Sequence, residues 1–380
     1  MLPGGRKSRN SRNQQETAAT AGTSRGRENI GLNRVTYHEQ TDIENTLRLR
    51  EVLKTLPDFC KDYFRSIDPT TSAKTRISYA YDIRIFFEFL LSENPAFKGM
   101  ELTDFTVDVL DQVKAVDLEE YEEYLKVYKN GDKLETNGER GLKRKISALR
   151  SFYAYYFKRE MISTNPTVLI DVPKVHQKSI IRLDTDEVAM LLDYIEHAGD
   201  SLTGQKKVFY EKTKERDLAL ITLLLGTGIR VSECVGLDVE DIDFKNYGIT
   251  VTRKGGNQMT VYFGQEVADA LQRYLEVRKG ITPLAGHEHA LFYSTQRKRI
   301  GVQAVENLVK KYAREITTTK KITPHKLRST YGTALYQETG DIYLVADVLG
   351  HKDVNTTKKH YAALDDERRR RAATAVRLRE

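Results

Sequence analysis

The chain has 380 residues, 39% hydrophobic and 30% charged, enough for two ordinary domains each with its own core. Its 61 Lys and Arg against 54 Asp and Glu leave a net charge of +7, which favours a polyanionic partner without identifying one. No stretch approaches the roughly 20 apolar residues of a membrane span, and two distant cysteines, Cys60 and Cys234, offer neither a disulfide framework nor a zinc site. These features predict a soluble, intracellular protein with no membrane attachment and no metal or other cofactor.

Residues 1–44 form the first segment. Before Val35 it holds seven basic residues (Arg6, Lys7, Arg9, Arg12, Arg25, Arg27, Arg34), two acidic ones, and otherwise mainly small or polar residues. Such a composition buries too little surface to offset chain entropy, so a disordered basic tail is expected. Residues 45–171 read as a helical domain. Tyr79, Ile83, Phe86, Phe87 and Leu90 form an apolar stripe at helical spacing, with Thr71 and Ser72 ahead as caps and Pro95 beyond. A second helix carries Leu142, Ile146, Leu149, Tyr153 and Tyr156. Its basic residues Lys143, Arg144, Lys145 and Arg150 fall off that stripe, where they suit either phosphate contacts or a solvated face.

Asn165-Pro166 closes the helical block, and residues 172–182, with Pro173, Lys174 and Lys178, read as a linker. Residues 183–380 then mix helices with a few strands. Ile249–Thr252 and Met259–Phe263 alternate as strands around a Lys254-Gly255-Gly256-Asn257 turn, and helical signals resume from Thr323. There is no Walker A loop: Gly226-Thr227-Gly228 lacks the Gly-Lys-Ser/Thr ending that would hold a nucleotide.

Five segments of this second half carry candidate chemistry: Gly226 to Glu233 with Arg230, Lys254 in its turn, His325-Lys-Leu-Arg328, Leu349-Gly350-His351, and Tyr361. Singly, each has a plain structural reading. Arg230 can form a surface ion pair with Glu233, Lys254 can be an exposed turn lysine with Arg253 as its rival, His325 and His351 can sit at helix ends, and Tyr361 can be core packing. In this order, six such coincidences would be needed. The series resembles the tyrosine recombinase (phage integrase) family, whose catalytic set runs Arg, Lys, His-x-x-Arg, His, Tyr. The resemblance spans roughly residues 65–365 and includes Ile146 to Tyr153 and Asn165-Pro166. It implies a mostly α fold with a small β-sheet: a two-domain DNA clamp of a helical core-binding domain and a mixed α/β catalytic domain.

The chemistry fits these residue types. A phosphodiester resists attack because its oxygens are negative, and a tyrosine hydroxyl titrates near ~10. Two permanently charged, forked guanidiniums suit the phosphate best, which assigns that role to Arg230 and Arg328. Glu233 orients Arg230. The resemblance favours His325 as base and His351 as phosphate ligand, with Lys254 as general acid and Tyr361 attacking to give a 3′-phosphotyrosyl link that preserves the bond energy without ATP. His351 and Tyr361 are ten residues apart, one more than is common in the family. His360 and Tyr343 are the rivals for those two positions.

The resemblance further implies a site-specific recombinase acting on double-stranded DNA carrying specific recombination sites. It would work as a homo-tetramer through a Holliday junction, with accessory DNA-bending proteins as possible partners, in a prokaryotic, nucleoid-associated cytoplasmic setting. The basic tail leans towards integration or excision of a mobile element. The alternatives are a chromosome-dimer-type resolvase, a type IB topoisomerase-like enzyme, and a non-catalytic DNA-binding protein of the same fold. The segment after Tyr361, with four successive arginines from Arg368, suits either a helix docking on a neighbouring subunit or a charged tail.

Overall fold

The computed structural model describes residues 35–351 and 354, without 173, 177–179 and 254. From Tyr37 onward the described residues belong to one compact unit. The first half contains α1 (Tyr37–Leu53), α2 (Cys60–Ser66), α3 (Ala73–Glu93), α4 (Val109–Gln112), α5 (Ala115–Tyr124), β1 (Val127–Asn130), β2 (Lys133–Thr136) and α6 (Glu139–Lys158). The second contains α7 (Thr185–His197), α8 (Gly204–Thr227), α9 (Val231–Gly236), β3 (Ile242–Asp243), β4 (Gly248–Thr252), β5 (Gln258–Tyr262), α10 (Gln265–Lys279), α11 (Val302–Ile316), α12 (Pro324–Thr339) and α13 (Ile342–Leu349). The fold is mostly α with small sheets, as the sequence pattern predicts.

In the first half, α3 begins where Ser72 accepts a hydrogen bond from the Thr75 amide (3.3 Å). Its stripe of Ile83, Phe86, Phe87 and Leu90 is buried against Ile146, Leu149, Phe152, Tyr153 and Tyr156 of α6. The aromatic pairs meet edge to face, as Phe87 and Phe152 do at 6.1 Å, the arrangement ring quadrupoles prefer. This core runs from Leu49 to Ile170, and a second runs from Leu183 to Leu327. The described residues among 171–182 carry no helix or strand.

At the centre of the second core lies α8, whose Leu218 to Leu224 is buried on every side, as a helix enclosed by neighbours requires. Buried Asp217 ties it to α11. Its carboxylate accepts from Arg216 (2.6 Å) and from the Tyr312 hydroxyl (2.9 Å). The antiparallel sheet has the order β3-β4-β5, with Ile249 opposite Val261 and Thr252 opposite Gln258. Ile249 and Val251 point into the core, while Gln258, Thr260 and Tyr262 of the edge strand are exposed. Cys60 and Cys234 are both buried free thiols, and burial pushes the Cys234 thiol up to about 12.

Three sequence expectations change. Helix α1 starts at Tyr37, inside the stretch 1–44 expected to be a tail. Its first turn has tertiary partners, since Tyr37 packs on the second core beneath the Arg299 guanidinium (5.2 Å), whereas Leu49 and Val52 join the first core. The β1–β2 hairpin lies inside the block read as wholly helical; Leu134 in its second strand is exposed, so no burial alternation announces it. The basic face of α6 is only partly solvated. Lys143 and Arg144 are exposed, but Lys145 is 5% exposed and its ammonium lies 3.1 Å from the buried Asp82 carboxylate, which Arg144 also engages. The Arg150 guanidinium donates to the Ile170 carbonyl.

Removing one partner of a buried ion pair strands the other charge. Asp82→Ala should therefore lower the unfolding free energy by about 3–5 kcal/mol. The double change Asp82→Asn with Lys145→Met should recover most of that loss. Urea unfolding followed by circular dichroism measures both.

Candidate active site

The site begins where α8 stops. Gly228 takes a left-handed conformation (φ 62°), and a Cβ there would lie 2.3 Å from the Tyr331 ring and 3.0 Å from Leu349, so both backbone and space demand glycine. The sharp turn makes Arg230 the N-cap of α9. Three residues on, the Glu233 carboxylate reaches back: one oxygen accepts from the Arg230 backbone N–H (2.8 Å), the other from its guanidinium (2.7 Å). Glu233 is 3% exposed and the Arg230 side chain 36%, so a buried carboxylate holds a partly exposed guanidinium.

Pro324 opens α12, placing His325 on its first turn, exposed, and Arg328 nearly one turn later, buried. Arg328 donates to the Gly228 carbonyl (2.5 Å) and to the Leu349 carbonyl, so it ties the end of α8 to the end of α13. Helix α13 is fixed at both ends. Asp341 caps its start, accepting from the Tyr343 and Leu344 amides. Gly350 (φ 61°) closes it in a Schellman-type turn, with the His351 amide donating to Ala346 (2.9 Å). The backbone of His351 is thereby set by the helix end.

Three guanidiniums meet three successive carbonyls of that turn. Arg253 donates to Val348 (2.8 Å), Arg328 to Leu349, and Arg230 to Gly350 (3.2 Å). Like charges this close repel, and two features offset the cost: the buried Glu233 carboxylate and the negative C-terminal end of α13. Burial pulls the Arg253 guanidinium below its ordinary value; Glu233 and Asp347 push back, and Arg230 adds to the fall. Its Nε and Nη1 are buried and find no hydrogen-bond partner among the described residues. A typical hydrogen bond adds only about 1 kcal/mol net, while a buried donor left unpaired costs about 1–3.

Four residues named from sequence, Arg230, Glu233, Arg328 and His351, thus come together around the ends of α8 and α13, with His325 on the helix that carries Arg328. Lys254 and Tyr361 lie outside the described residues, as do His360, the segment after Tyr361 and residues 1–34. Tyr343 is 71% exposed, on the first turn of α13. Among the described residues, no three or more His, Cys, Asp or Glu side chains are grouped to hold a metal.

The model of the phage integrase family matches residues 182–368, a span that includes Lys254 and Tyr361. A tyrosine recombinase named XerC, from Caldanaerobacter subterraneus subsp. tengcongensis, is 35% identical over 316 residues, covering 80% of this chain and 82% of that protein. The chain belongs to the phage integrase family. It is a tyrosine recombinase, a site-specific DNA recombinase. A recombinase named XerS from Streptococcus uberis is 30% identical over 346 residues, 84% of this chain and 96% of its own length. Among solved structures, the fold is similar to XerH site-specific recombinase bound to palindromic difH substrate (TM-score 0.59, 21% identity, 80% of each chain). It is also similar to the Tn1549 transposon integrase with circular intermediate DNA (TM-score 0.57, 22% identity, 80% of this chain and 94% of that one).

In the sequence Arg253 stands only as a rival of Lys254. Its docking on α13 joins positions 95 residues apart, and its one sequence signal is the pairing with Gly350, the residue small enough to admit it. Replacing Glu233 by Gln keeps the shape but unbalances the guanidinium cluster. The variant should lose about 2 kcal/mol, below the 3–5 of a fully buried pair because Arg230 is partly exposed. Sulfate should raise its melting temperature more steeply than that of the wild type, a comparison made by calorimetry across a sulfate series.

Proposed function

We propose that this recombinase cleaves double-stranded DNA at specific sites by attack of Tyr361 on a phosphodiester, forming a 3′-phosphotyrosyl bond and releasing a 5′ hydroxyl. The single observation that supports this best is the convergence of Arg230, Arg328 and His351 on one helix end, in a chain whose family match continues through Tyr361. In this reading Arg230 and Arg328 neutralise the non-bridging oxygens as charge builds on the phosphorus. His325 takes the Tyr361 proton, His351 donates to a phosphate oxygen, and Lys254 protonates the departing 5′ oxygen. Reversal with a different 5′ hydroxyl rejoins the strand, and two rounds of exchange within a homo-tetramer pass through a Holliday junction. Accessory DNA-bending proteins fit the same scheme. The exposed Lys143 of α6 is the basic residue of that set best placed to meet DNA phosphates; Arg144, Lys145 and Arg150, spent on internal partners, would support the helix from behind.

For the biological task, relatives matched across most of the chain carry Xer names, whereas the transposon integrase is matched in fold alone. That weighs for a chromosome-dimer-type resolvase, with mobile-element integration or excision as the second reading, favoured by the basic stretch before Val35.

Trapping on a nicked duplex carrying the native site tests the chemistry. Wild type should give a denaturation-resistant adduct and Tyr361→Phe none, while Arg230→Ala or Arg328→Ala should slow its formation by roughly 10²–10³-fold. An adduct persisting in Tyr361→Phe would move the nucleophile, with Tyr343 next. Tight specific binding without any adduct would favour an architectural protein. In cells, a circular DNA whose appearance depends on the gene would favour the mobile-element task over the resolvase.

A further inference from the structure

In sequence Lys254 falls between β4 and β5, next to the described turn residues. Gly255, Gly256 and Asn257 are exposed, as are alternate residues of β5. Arg253 stands at the neck. Its backbone N–H donates to the Asn257 carbonyl (2.8 Å), and its carbonyl accepts from the Gly256 amide (3.0 Å), so the turn is closed on Arg253 itself. Its side chain then crosses to α13 and donates to the Val348 carbonyl (2.8 Å). The approach is close: a Cβ on Gly350 would fall 1.0 Å from Arg253 Nη1, so any other residue there would displace the guanidinium. The turn it grips is the one that sets the His351 backbone and accepts from Arg230 and Arg328.

We infer that Arg253 is a positioning residue for the general acid: docked on the C-terminal turn of α13, it fixes the neck of the hairpin, and with it the reach of Lys254, relative to His351 and the two phosphate-binding arginines. This rests on the reading of Lys254 as the acid of the cleavage step, in which the Tyr361 oxygen bonds to phosphorus, the bond from phosphorus to the 5′ oxygen breaks, and the Lys254 proton goes to that oxygen. In this reading Arg253 acts through the hairpin neck and not on the reacting atoms. Among the described residues its buried Nε and Nη1 have no hydrogen-bond partner, so the contact that this side chain does make, to Val348, is the one that holds the backbone.

A leaving group that needs no acid separates this role from others. The rate of single-turnover cleavage is measured on a nicked duplex with oxygen, and on the same duplex with sulfur, at the 5′ bridging position. A thiolate, whose conjugate acid titrates near ~8.5, departs without protonation, unlike an alkoxide. Lys254→Ala provides the benchmark. Arg253→Ala is expected to slow cleavage of oxygen DNA by roughly 10–100-fold yet cleave sulfur DNA within about threefold of wild type, the size a small misplacement of a general acid gives. Near-wild-type cleavage of sulfur DNA also shows that the variant is folded. Arg253→Lys, which keeps a cation and a donor, should recover part of the oxygen rate, and it serves in place of the alanine variant if that one does not fold. Equal slowing on both substrates, or no slowing on either, overturns the inference. Lys254→Ala slowed equally on both removes the acid it depends on and overturns it too. A wild type inactive on both sinks the cleavage reading itself, and this inference with it.

Discussion

Three guanidiniums held within reach of one helix end is the constraint on which the catalytic half is built. Arg230, Arg253 and Arg328 repel one another, and each would be better solvated apart. The fold supplies what water otherwise would: one buried carboxylate, Glu233, and three consecutive carbonyls at the negative end of α13. Those carbonyls lack α-helical partners of their own, so cluster and helix end satisfy each other. The geometry in turn demands the two left-handed glycines, Gly228 and Gly350, which let the backbones of α8 and α13 turn sharply beside the arginines. A polyanion is the remaining partner such a cluster calls for, and a phosphodiester meets that need.

The scaffold behind the site solves the same problem twice more. Asp217 is buried in α8, where Arg216 and the Tyr312 hydroxyl satisfy it and join α8 to α11. Asp82 is buried in α3, where Lys145 and Arg144 satisfy it and join α3 to α6. Each network fixes how two long helices register against each other, which apolar packing alone specifies less sharply. The first of them holds the helix whose C-terminal end, at Gly228, accepts from Arg328. Helix α1 spans both cores, with Tyr37 on one and Leu49 and Val52 on the other, so its first turn belongs to the tertiary structure rather than to the basic segment before it.

Much of this was legible in the residue order. The apolar stripes of α3 and α6 have the helical period, the β4–β5 hairpin has its alternation and glycine turn, and Arg230, Glu233, Arg328 and His351 occur in an order that points to one chemistry. Local rules suffice there, because period, capping and turn chemistry act over a few residues. They failed where a distant partner decides. Lys145 sits at the edge of the buried face of α6, one turn from Leu142 and Leu149, but that its charge is met there by Asp82, 63 residues away, no local pattern shows. Helix α1 has weak local signals and exists on the strength of its contacts. The β1–β2 hairpin, exposed along most of its length, has no burial pattern to show.

By itself, then, the sequence determined the class of the protein, its main helices and main hairpin, and the candidates for its site, since these depend on residue type and near neighbours. Only the tertiary structure decided which arginines share one helix end, which basic side chains are spent on internal carboxylates, and that Arg253 stands with Arg230 and Arg328. Those outcomes depend on burial, and burial is set by how segments more than sixty residues apart pack together, which no local pattern encodes.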